Sequence, residues 1–376
     1  MIFSSLRSAA FRNLADAEVF IGAKDVFLVG ENGQGKTNFL EALYFCAYAS
    51  SFRGVRDGEL VRKGEKDFSA SVKIEESVVG PGFSGKILIK FEKGKKSVYV
   101  NDKRLEDRKD LLSAAPCIVF CHEDIEFASG NPERRRWFFD QVLSLYDPVY
   151  LDDLRRYRRV LKSRNMTLRD YATHRLNGSP EALLDALDPQ YMMYGIKLME
   201  KRETAAQLFS GLFGPLYEEV SGISGIMVQY VPSWKKVGEK EAAALLRERR
   251  STDLGAGLSL TGPHRDRYMF TRNGVEFAGT ASTGQRRLLA LLLRLAQARR
   301  FSEMTGKNPV LLLDDVLLEM DGEKRRRFLA VLPGYDQAFY TFLPEEPYKN
   351  YRKEDTLVYN VNGGCINESV HSGAGK

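Results

Sequence analysis

"VGENGQGKTNFLEALYF", Val29 to Phe45, is the stretch whose reading decides the fold. Gly30, Gly35, Lys36 and Thr37 fit the pattern G-x-x-x-x-G-K-[ST]. An apolar run, Val26 to Val29, leads into the glycines, and Phe39, Leu40, Leu43 and Tyr44 follow at helical spacing. Strand, glycine loop and helix in that order make a phosphate cradle: backbone N–H groups close around a β-phosphate, and the helix N-terminus adds its positive end. Gly30, Glu31, Asn32, Gly33, Gln34, Gly35, Lys36 and Thr37 are thus the candidate nucleotide contacts, with Lys36 reaching the β/γ-phosphates and Thr37 holding Mg²⁺. The bland alternative is a chance glycine-rich turn, and the flanking pattern argues against it.

A second half of such a site stands near the other end of the chain. In "PVLLLDDVLLEMD", Pro309 to Asp321, a buried strand over Val310–Leu313 runs into two carboxylates. Asp314 is placed to accept from a Mg²⁺-bound water, and Asp315 stands where a water-activating base belongs. With 278 positions between Lys36 and Asp314, most of the chain is inserted into one active site, unlike small kinases or simple GTP switches. Between them, Ser282, Gly284 and Gln285 of "ASTGQRR" form S-x-G-Q at the start of an amphipathic helix. Alone this would be an ordinary helix cap. Between the two phosphate motifs it resembles the signature of ABC-type ATPases, and that resemblance implies a head-to-tail dimer with ATP at its interface. The motif is expected to share a domain with Asp314.

The 376 residues, 43% hydrophobic and 28% charged, suffice for two domains or for one with a large insertion. The net charge of +6 permits an acidic polymer as partner. Positive residues gather in "ERRRW" (Glu133–Trp137), "LRRYRRVLKSR" (Leu154–Arg164), "RERR" (Arg247–Arg250) and "KRRR" (Lys324–Arg327). One such run is ordinarily a solvated helix face, whereas several favour a polyanion surface. Arg134, Arg135, Arg136, Arg155 and Arg156 are the candidate DNA contacts. Cys46, Cys117, Cys121 and Cys365 form no ligand set or disulfide framework, which fits a reducing cytoplasm. The N-terminus has no long apolar segment, and the run Leu288–Ala296 is interrupted by Arg294, so neither a secretory signal nor a membrane span is expected.

The resemblance then narrows. "FRN" (Phe11–Asn13), the phosphate loop, "FRGVRDGELVRKG" (Phe52–Gly64), "GNPERRRWFFD" (Gly130–Asp140), "LKSRN" (Leu161–Asn165), "TGPHRD" (Thr261–Asp266), "ASTGQRR" and "LLLDDVLLEMD" occur in the order seen in the RecF family. That family of bacterial recombination and gap-repair ATPases is related to SMC heads, and the likeness spans nearly the whole chain. It implies an ATP- and Mg²⁺-dependent clamp on DNA, dimerising on ATP, that works with RecR and RecO to help load RecA and is tied to replication and the SOS response. Asp321 matches the family's D-loop acid at the dimer interface, and Arg56 and Asp57 match a region near the nucleotide. Two departures stand out: Arg267 replaces an acid after "TGPHRD", and Thr341 lacks the threonines that usually follow it, which places its γ-phosphate contact in doubt.

The expected fold is an α/β P-loop NTPase of ABC-type head architecture with a helical second lobe and no long coiled coil. Residues 1–127 form the N-terminal part of the nucleotide lobe, 128–253 the helical lobe, and 254–376 the returning part with signature and acids. Asp315 is one methylene shorter than the glutamate usual in ABC-type motors, so slow, switch-like hydrolysis is expected. The alternatives are the ATP subunit of a membrane transporter and a minimal SMC-like structural ATPase. The 246 positions between Lys36 and Ser282 disfavour the first, and the missing heptads disfavour the second.

Overall fold

The computed structural model describes residues 1–75, 84–107, 109–175, 178–235, 238–317 and 320–369. Leu176 and Asn177, in a turn expected after the second basic helix, and Leu318 and Glu319, in the acidic run, lie outside the described residues. The chain forms two compact units, Met1–Asp124 with Gln297–Lys376, and Ile125–Ala296.

The first unit carries two sheets. Strands β1 (Ile2–Ala9), β2 (Ala17–Phe20), β4 (Phe68–Glu75), β5 (Gly85–Glu92), β6 (Lys95–Val100) and β7 (Lys103–Arg104) pair antiparallel in the order β2-β1-β4-β5-β6-β7. Val72 and Ile74 of β4 are buried while Lys73 and Glu75 face out, the period-two pattern of a half-solvated sheet. The second sheet runs β15-β14-β3-β13-β12-β8. Here β3 (Asp25–Val29), β8 (Cys117–Phe120), β12 (Val310–Leu313), β13 (Gln337–Phe342) and β14 (Leu357–Asn362) are mutually parallel, and β15 (Cys365–Glu368) closes the edge antiparallel. "VFLV", "CIVF" and "VLLL" are buried throughout, as strands of a parallel sheet covered on both faces must be.

Helix α1 (Lys36–Tyr48) lies in one apolar core with residues of both sheets, and almost all its residues are buried. A helix wetted on so little of its surface has no polar face to spare. Its Glu41 is fully buried, and Arg12 grips it through Nε at 2.9 Å and Nη2 at 3.2 Å. The other helices of this unit are α2 (Lys109–Ala114) and α10 (Gly322–Ala330).

The second unit is helical, with one small sheet. It holds α3 (Ile125–Ser129), α4 (Pro132–Tyr146), α5 (Pro148–Ala172), α6 (Glu181–Ser221), α7 (Glu239–Ala256) and α8 (Phe277–Thr280). The N-termini of α4 and α5 are set by sequence: Asn131 and Asp147 accept from the N–H groups of Arg134 and Tyr150, and a proline follows each cap. Helix α6 is 41 residues long, about 60 Å. Its buried positions recur every three or four residues, from Leu184 through Tyr191 and Leu198 to Val220, within its own unit. Helix α9 (Thr283–Thr305) begins in this unit and runs on into the first after Ala296.

Two buried arginines organise the helices. Arg164 of α5 donates to Asp188 of α6 and Asp253 of α7, each at 2.8 Å. Arg202 of α6 donates to Asp140 of α4 and to Asp266, each at 2.8 Å, and to the Pro263 carbonyl at 2.7 Å. Buried cations need such paired and hydrogen-bonded anions, and removing one partner typically costs about 3–5 kcal/mol.

The boundaries differ from the sequence reading. The units divide after Asp124 and Ala296, not after 127 and 253. Strand β10 (Arg267–Arg272) pairs with β9 (Ile226–Val231) and β11 (Val275–Glu276) inside the second unit. The turn Thr261–Asp266 is likewise held there by Arg202 and by Tyr191, whose hydroxyl donates to the Thr261 carbonyl at 2.5 Å. The return to the nucleotide lobe, expected from 254, comes only after Ala296. Consequently Ser282–Gln285 belong to the second unit, and only the helix they open reaches the unit that carries Asp314.

Burial pushes His264 down to about 4 from its ordinary 6.5. Below pH 6.5 the unfolded chain takes up a proton that the folded chain resists until about pH 4. Stability from this group is therefore present above pH 6.5 and lost as pH falls through that window, by about 2 to 3 kcal/mol near pH 4.5. Urea unfolding at pH 6.5 and 4.5 should show this extra loss in wild type and not in His264→Gln. Equal losses in the two proteins would refute the assignment.

Candidate nucleotide site

The phosphate loop leaves β3 at the middle of the parallel sheet, and the acids leave β12 two strands away, with β13 between them. This order brings distant motifs together. Thr37 Oγ1 donates to Asp314 Oδ1 at 2.9 Å across 277 positions of sequence. Glu31 to Asn38, with Arg53 and Asp315, line a cavity of about 270 Å³. All the loop residues named from sequence except Gly30 lie on that cavity.

Close backbone packing explains the glycines that matter most. A Cβ on Gly30 would sit 2.3 Å from the Val361 carbonyl oxygen of β14, so no side chain fits. Gly35, which caps α1, has φ of 119°, open only to glycine at little cost. The loop is also tied from outside. The N–H of Gly364 donates to the Gln34 carbonyl at 2.8 Å, and the N–H of Gly363 to its Oε1 at 2.7 Å. Asn13 Nδ2 reaches the Gly33 carbonyl at 3.3 Å, and its Oδ1 accepts from Asn38 at 2.7 Å. Lys36 is buried, its Nζ held by the carbonyls of Gly30 at 2.5 Å and Glu31 at 3.3 Å.

The acids differ in environment. Burial, reinforced by the neighbouring Asp315 charge, raises Asp314 to about 7, while the Thr37 hydrogen bond and Arg53 pull the other way. Asp315 adopts φ of 53°, a left-handed conformation that aspartate tolerates better than most residues. Thr341 of β13 holds it there. Its hydroxyl accepts from the Asp315 N–H at 2.7 Å and lies 2.7 Å from Asp315 Oδ1, against 3.4 Å from Asp314 Oδ1. With one proton to give, the hydroxyl serves Asp315. The threonine left in doubt by the sequence thus has a defined place.

The paired hydroxyl and carboxylate oxygens of Thr37 and Asp314 suit a hard cation. Among the described residues no cluster of three or more His, Cys, Asp or Glu forms a metal cage. Mg²⁺ asks for none, since it takes one or two protein oxygens and completes its shell with water and phosphate. A cation so placed would offset the charge of Asp314 and of a bound triphosphate.

The remaining predicted residues are distributed as follows. Ser282 and Gln285 form a reciprocal capping box: the Ser282 N–H donates to Gln285 Oε1 at 2.8 Å, and the Gln285 N–H to Ser282 Oγ at 3.2 Å. Ser282, Thr283 and Gly284 are exposed, and among the described residues a Cβ on Gly284 would meet nothing within 4 Å. Asp321 caps α10 by accepting from the Lys324 N–H at 2.9 Å. Arg53 lines the cavity, whereas Asp57 pairs with Lys96 at 2.7 Å away from it. Asn13, Arg53 and the Gln34 clamp were not foreseen. They act through tertiary contacts, and only the polar end of "FRN" hints at one of them.

The five arginines named as DNA contacts fall into different settings. Arg135 is largely buried, donating to the carbonyls of Tyr268 at 3.2 Å and Ala128 at 2.8 Å, so it holds the unit together. Arg136 is half-buried and donates to the Asp266 carbonyl at 2.6 Å. Arg134 pairs with Glu126 at 2.7 Å and Arg155 with Asp152 at 3.8 Å, while Arg156 is exposed beside the ring of Tyr194. Arg158, Arg159 and Lys162, not named individually before, are exposed on the same helix.

Comparison with known proteins agrees with this fold. The model of the RecF/RecN/SMC N terminal domain matches residues 2–365. The DNA replication and repair protein RecF of Treponema pallidum (strain Nichols) is 42% identical, covering 95% of this chain and 99% of that protein. The chain belongs to the RecF family. The RecF of Bacillus subtilis (strain 168) is 33% identical over 97% of this chain and all of its own length. A solved structure of the recombination mediator protein RecF with ATP, of the RecFOR pathway, superimposes with a TM-score of 0.88 at 27% identity, covering 98% of each chain. The SMC head bound to the C-winged helix domain of ScpA shares the fold, with a TM-score of 0.55 at 14% identity. The family placement sets aside the transporter reading. Among the described residues no helix is long and apolar enough to cross a membrane.

Gly30→Ala should lower stability by about 2 to 3 kcal/mol, because the new methyl must push β3 from β14. Urea denaturation checks this, and an unchanged midpoint would show that the packing against Val361 is not limiting.

Proposed function

We propose that the protein is a cytoplasmic, ATP-switched DNA clamp in which two copies close head to tail over two Mg²⁺-bound ATP molecules. The observation that supports this reading is the hydrogen bond from Thr37 to Asp314, beside a cavity lined by the phosphate loop and Asp315. In this reading Lys36 moves from its loop carbonyls to the β/γ-phosphates. Asp315, held by Thr341, orients the attacking water. The exposed Ser282–Gly284 turn supports a role toward a second copy, since among the described residues none crowds the Gly284 position. The structures of RecF relatives with ATP support the choice of nucleotide.

DNA enters through phosphate contacts by exposed arginines of the helical unit, which supply affinity without reading sequence. Work with RecR and RecO in promoting RecA loading at single-strand gaps, with links to the SOS response, follows from the family. Hydrolysis is slow and times the release of the clamp.

Sizing by light scattering tests the scheme. ATP should convert wild type from monomer to dimer, with no conversion in Lys36→Ala. Gly284→Ala should fold normally and bind ATP yet dimerise at least tenfold more weakly. A Gly284→Ala protein that dimerises like wild type would exclude the signature turn from the interface. Salt titration of ATP-dependent DNA binding should give a steep negative slope.

Thr341→Val keeps the shape of the side chain and removes the hydroxyl that holds Asp315. Turnover should fall about tenfold or more with nucleotide affinity nearly unchanged, a loss confined to the chemical step. Equal losses in affinity and turnover would instead give Thr341 a role in binding.

A further inference from the structure

The helical unit contains a cavity of about 350 Å³ that the nucleotide chemistry does not use. Its walls come from α4, α5 and the Thr261–Asp266 turn. Four guanidinium groups line it, those of Arg136, Arg158, Arg202 and Arg265, against the carboxylates of Glu133 and Asp140.

These groups are not equivalent. Asp140 is buried and already engaged, accepting from Arg202 at 2.8 Å, Arg158 at 3.2 Å and the Tyr150 hydroxyl at 2.5 Å. Arg202 is equally committed and forms the floor. Arg136 is anchored through one Nη1 contact to the Asp266 carbonyl, which aims the guanidinium and leaves part of its fork for another acceptor. Burial and the nearby Arg202 charge hold its pKa below the usual range, a strain that an incoming anion would relieve. Arg265 is exposed, with one long contact of 3.5 Å to the Ser259 carbonyl. Glu133, exposed at the mouth, is the acid an anion must pass.

The other lining residues include the aromatic side chains of Trp137 and Tyr157 and the imidazole of His264. His264 Nε2 faces the Ser259 carbonyl at 2.9 Å, so that nitrogen carries the proton, and Nδ1 accepts from Tyr157 at 2.9 Å. Trp137, 38% exposed, also lines the cavity. Converging guanidinium forks suit phosphate, and aromatic walls suit a base. The volume admits one nucleotide and no double helix.

We propose that this cavity seats a terminal nucleotide bearing a phosphate monoester, supplied by a DNA strand end or by a free mononucleotide. A monoester brings more charge than a backbone phosphodiester and is attached to chain on one side only, so it can enter where an internal phosphate cannot. Exposed Arg159 and Lys162, on the helix that carries Arg158, offer a path for the strand behind it. The strand-end form rests on the DNA-binding reading above.

The test compares a labelled blunt duplex whose ends carry hydroxyls, 5′-phosphates or 3′-phosphates, by fluorescence anisotropy with ATP present. A phosphate at one type of end should tighten binding about tenfold or more. Arg265→Ala and Arg158→Ala should each bring the phosphate-to-hydroxyl ratio toward one, with thermal melting confirming that they fold. A ratio of one in wild type at both ends, or a ratio untouched by both variants, overturns the proposal. Loss of the preference on adding a millimolar deoxynucleoside monophosphate identifies free nucleotide as an occupant, and a preserved preference assigns the seat to strand ends. If no duplex is retained with ATP, the clamp reading fails separately. The cavity is then tested by quenching of Trp137 emission with a 5′-phosphorylated dinucleotide, and its absence in wild type overturns the proposal.

Discussion

The hydrogen bond from Thr37 to Asp314 is the contact on which the nucleotide site depends. It requires that β3 and β12 lie in one sheet with their C-terminal ends together, and that only β13 stand between them. A carboxylate held there is costly, because burial and a neighbouring acid both disfavour its charge. A cation seated between Thr37 and Asp314 would offset that penalty by supplying the carboxylate with a positive partner. Thr341, on the intervening strand, completes the arrangement by hydrogen-bonding the second acid in its left-handed conformation.

That these segments would meet was legible beforehand, because a phosphate-loop pattern follows strict local rules. The loop glycines, Lys36 and Thr37 could be read because backbone geometry leaves few alternatives, and Asp314 could be read because an all-apolar strand rarely ends in paired acids. The helical second lobe and the absence of long arms were legible from periodicity. What escaped reading was set by partners far away in the chain. Asn13 and Arg53 reach the loop only once α1 is docked, and the clamp on Gln34 comes from Gly363 and Gly364. The second domain boundary was misplaced for a similar reason: β10 has strand character, but its partner is β9, on the helical side.

The basic clusters illustrate why charge runs are hard to interpret. Three consecutive arginines, Arg134 to Arg136, face a surface carboxylate, a set of backbone carbonyls and a cavity. Arg164, at the end of a run that reads as solvated, is fully buried between two aspartates. On a helix, neighbouring residues point about 100° apart, so a run of like charges divides among several environments. Positive charge in this unit therefore serves cohesion first, with the exposed remainder available to a polyanion.

The position of β3 in its sheet bears on how the protein is made. That strand is paired on both sides by segments synthesised some 300 residues later, β13 and β14. At roughly 5 to 20 residues per second, its apolar edges leave the ribosome about 15 to 60 seconds before either partner exists. During that interval the antiparallel sheet and the helical unit can form from contiguous chain, but the central sheet cannot. The nascent protein therefore carries an unpaired, apolar strand throughout elongation, the kind of surface that holdase chaperones cover.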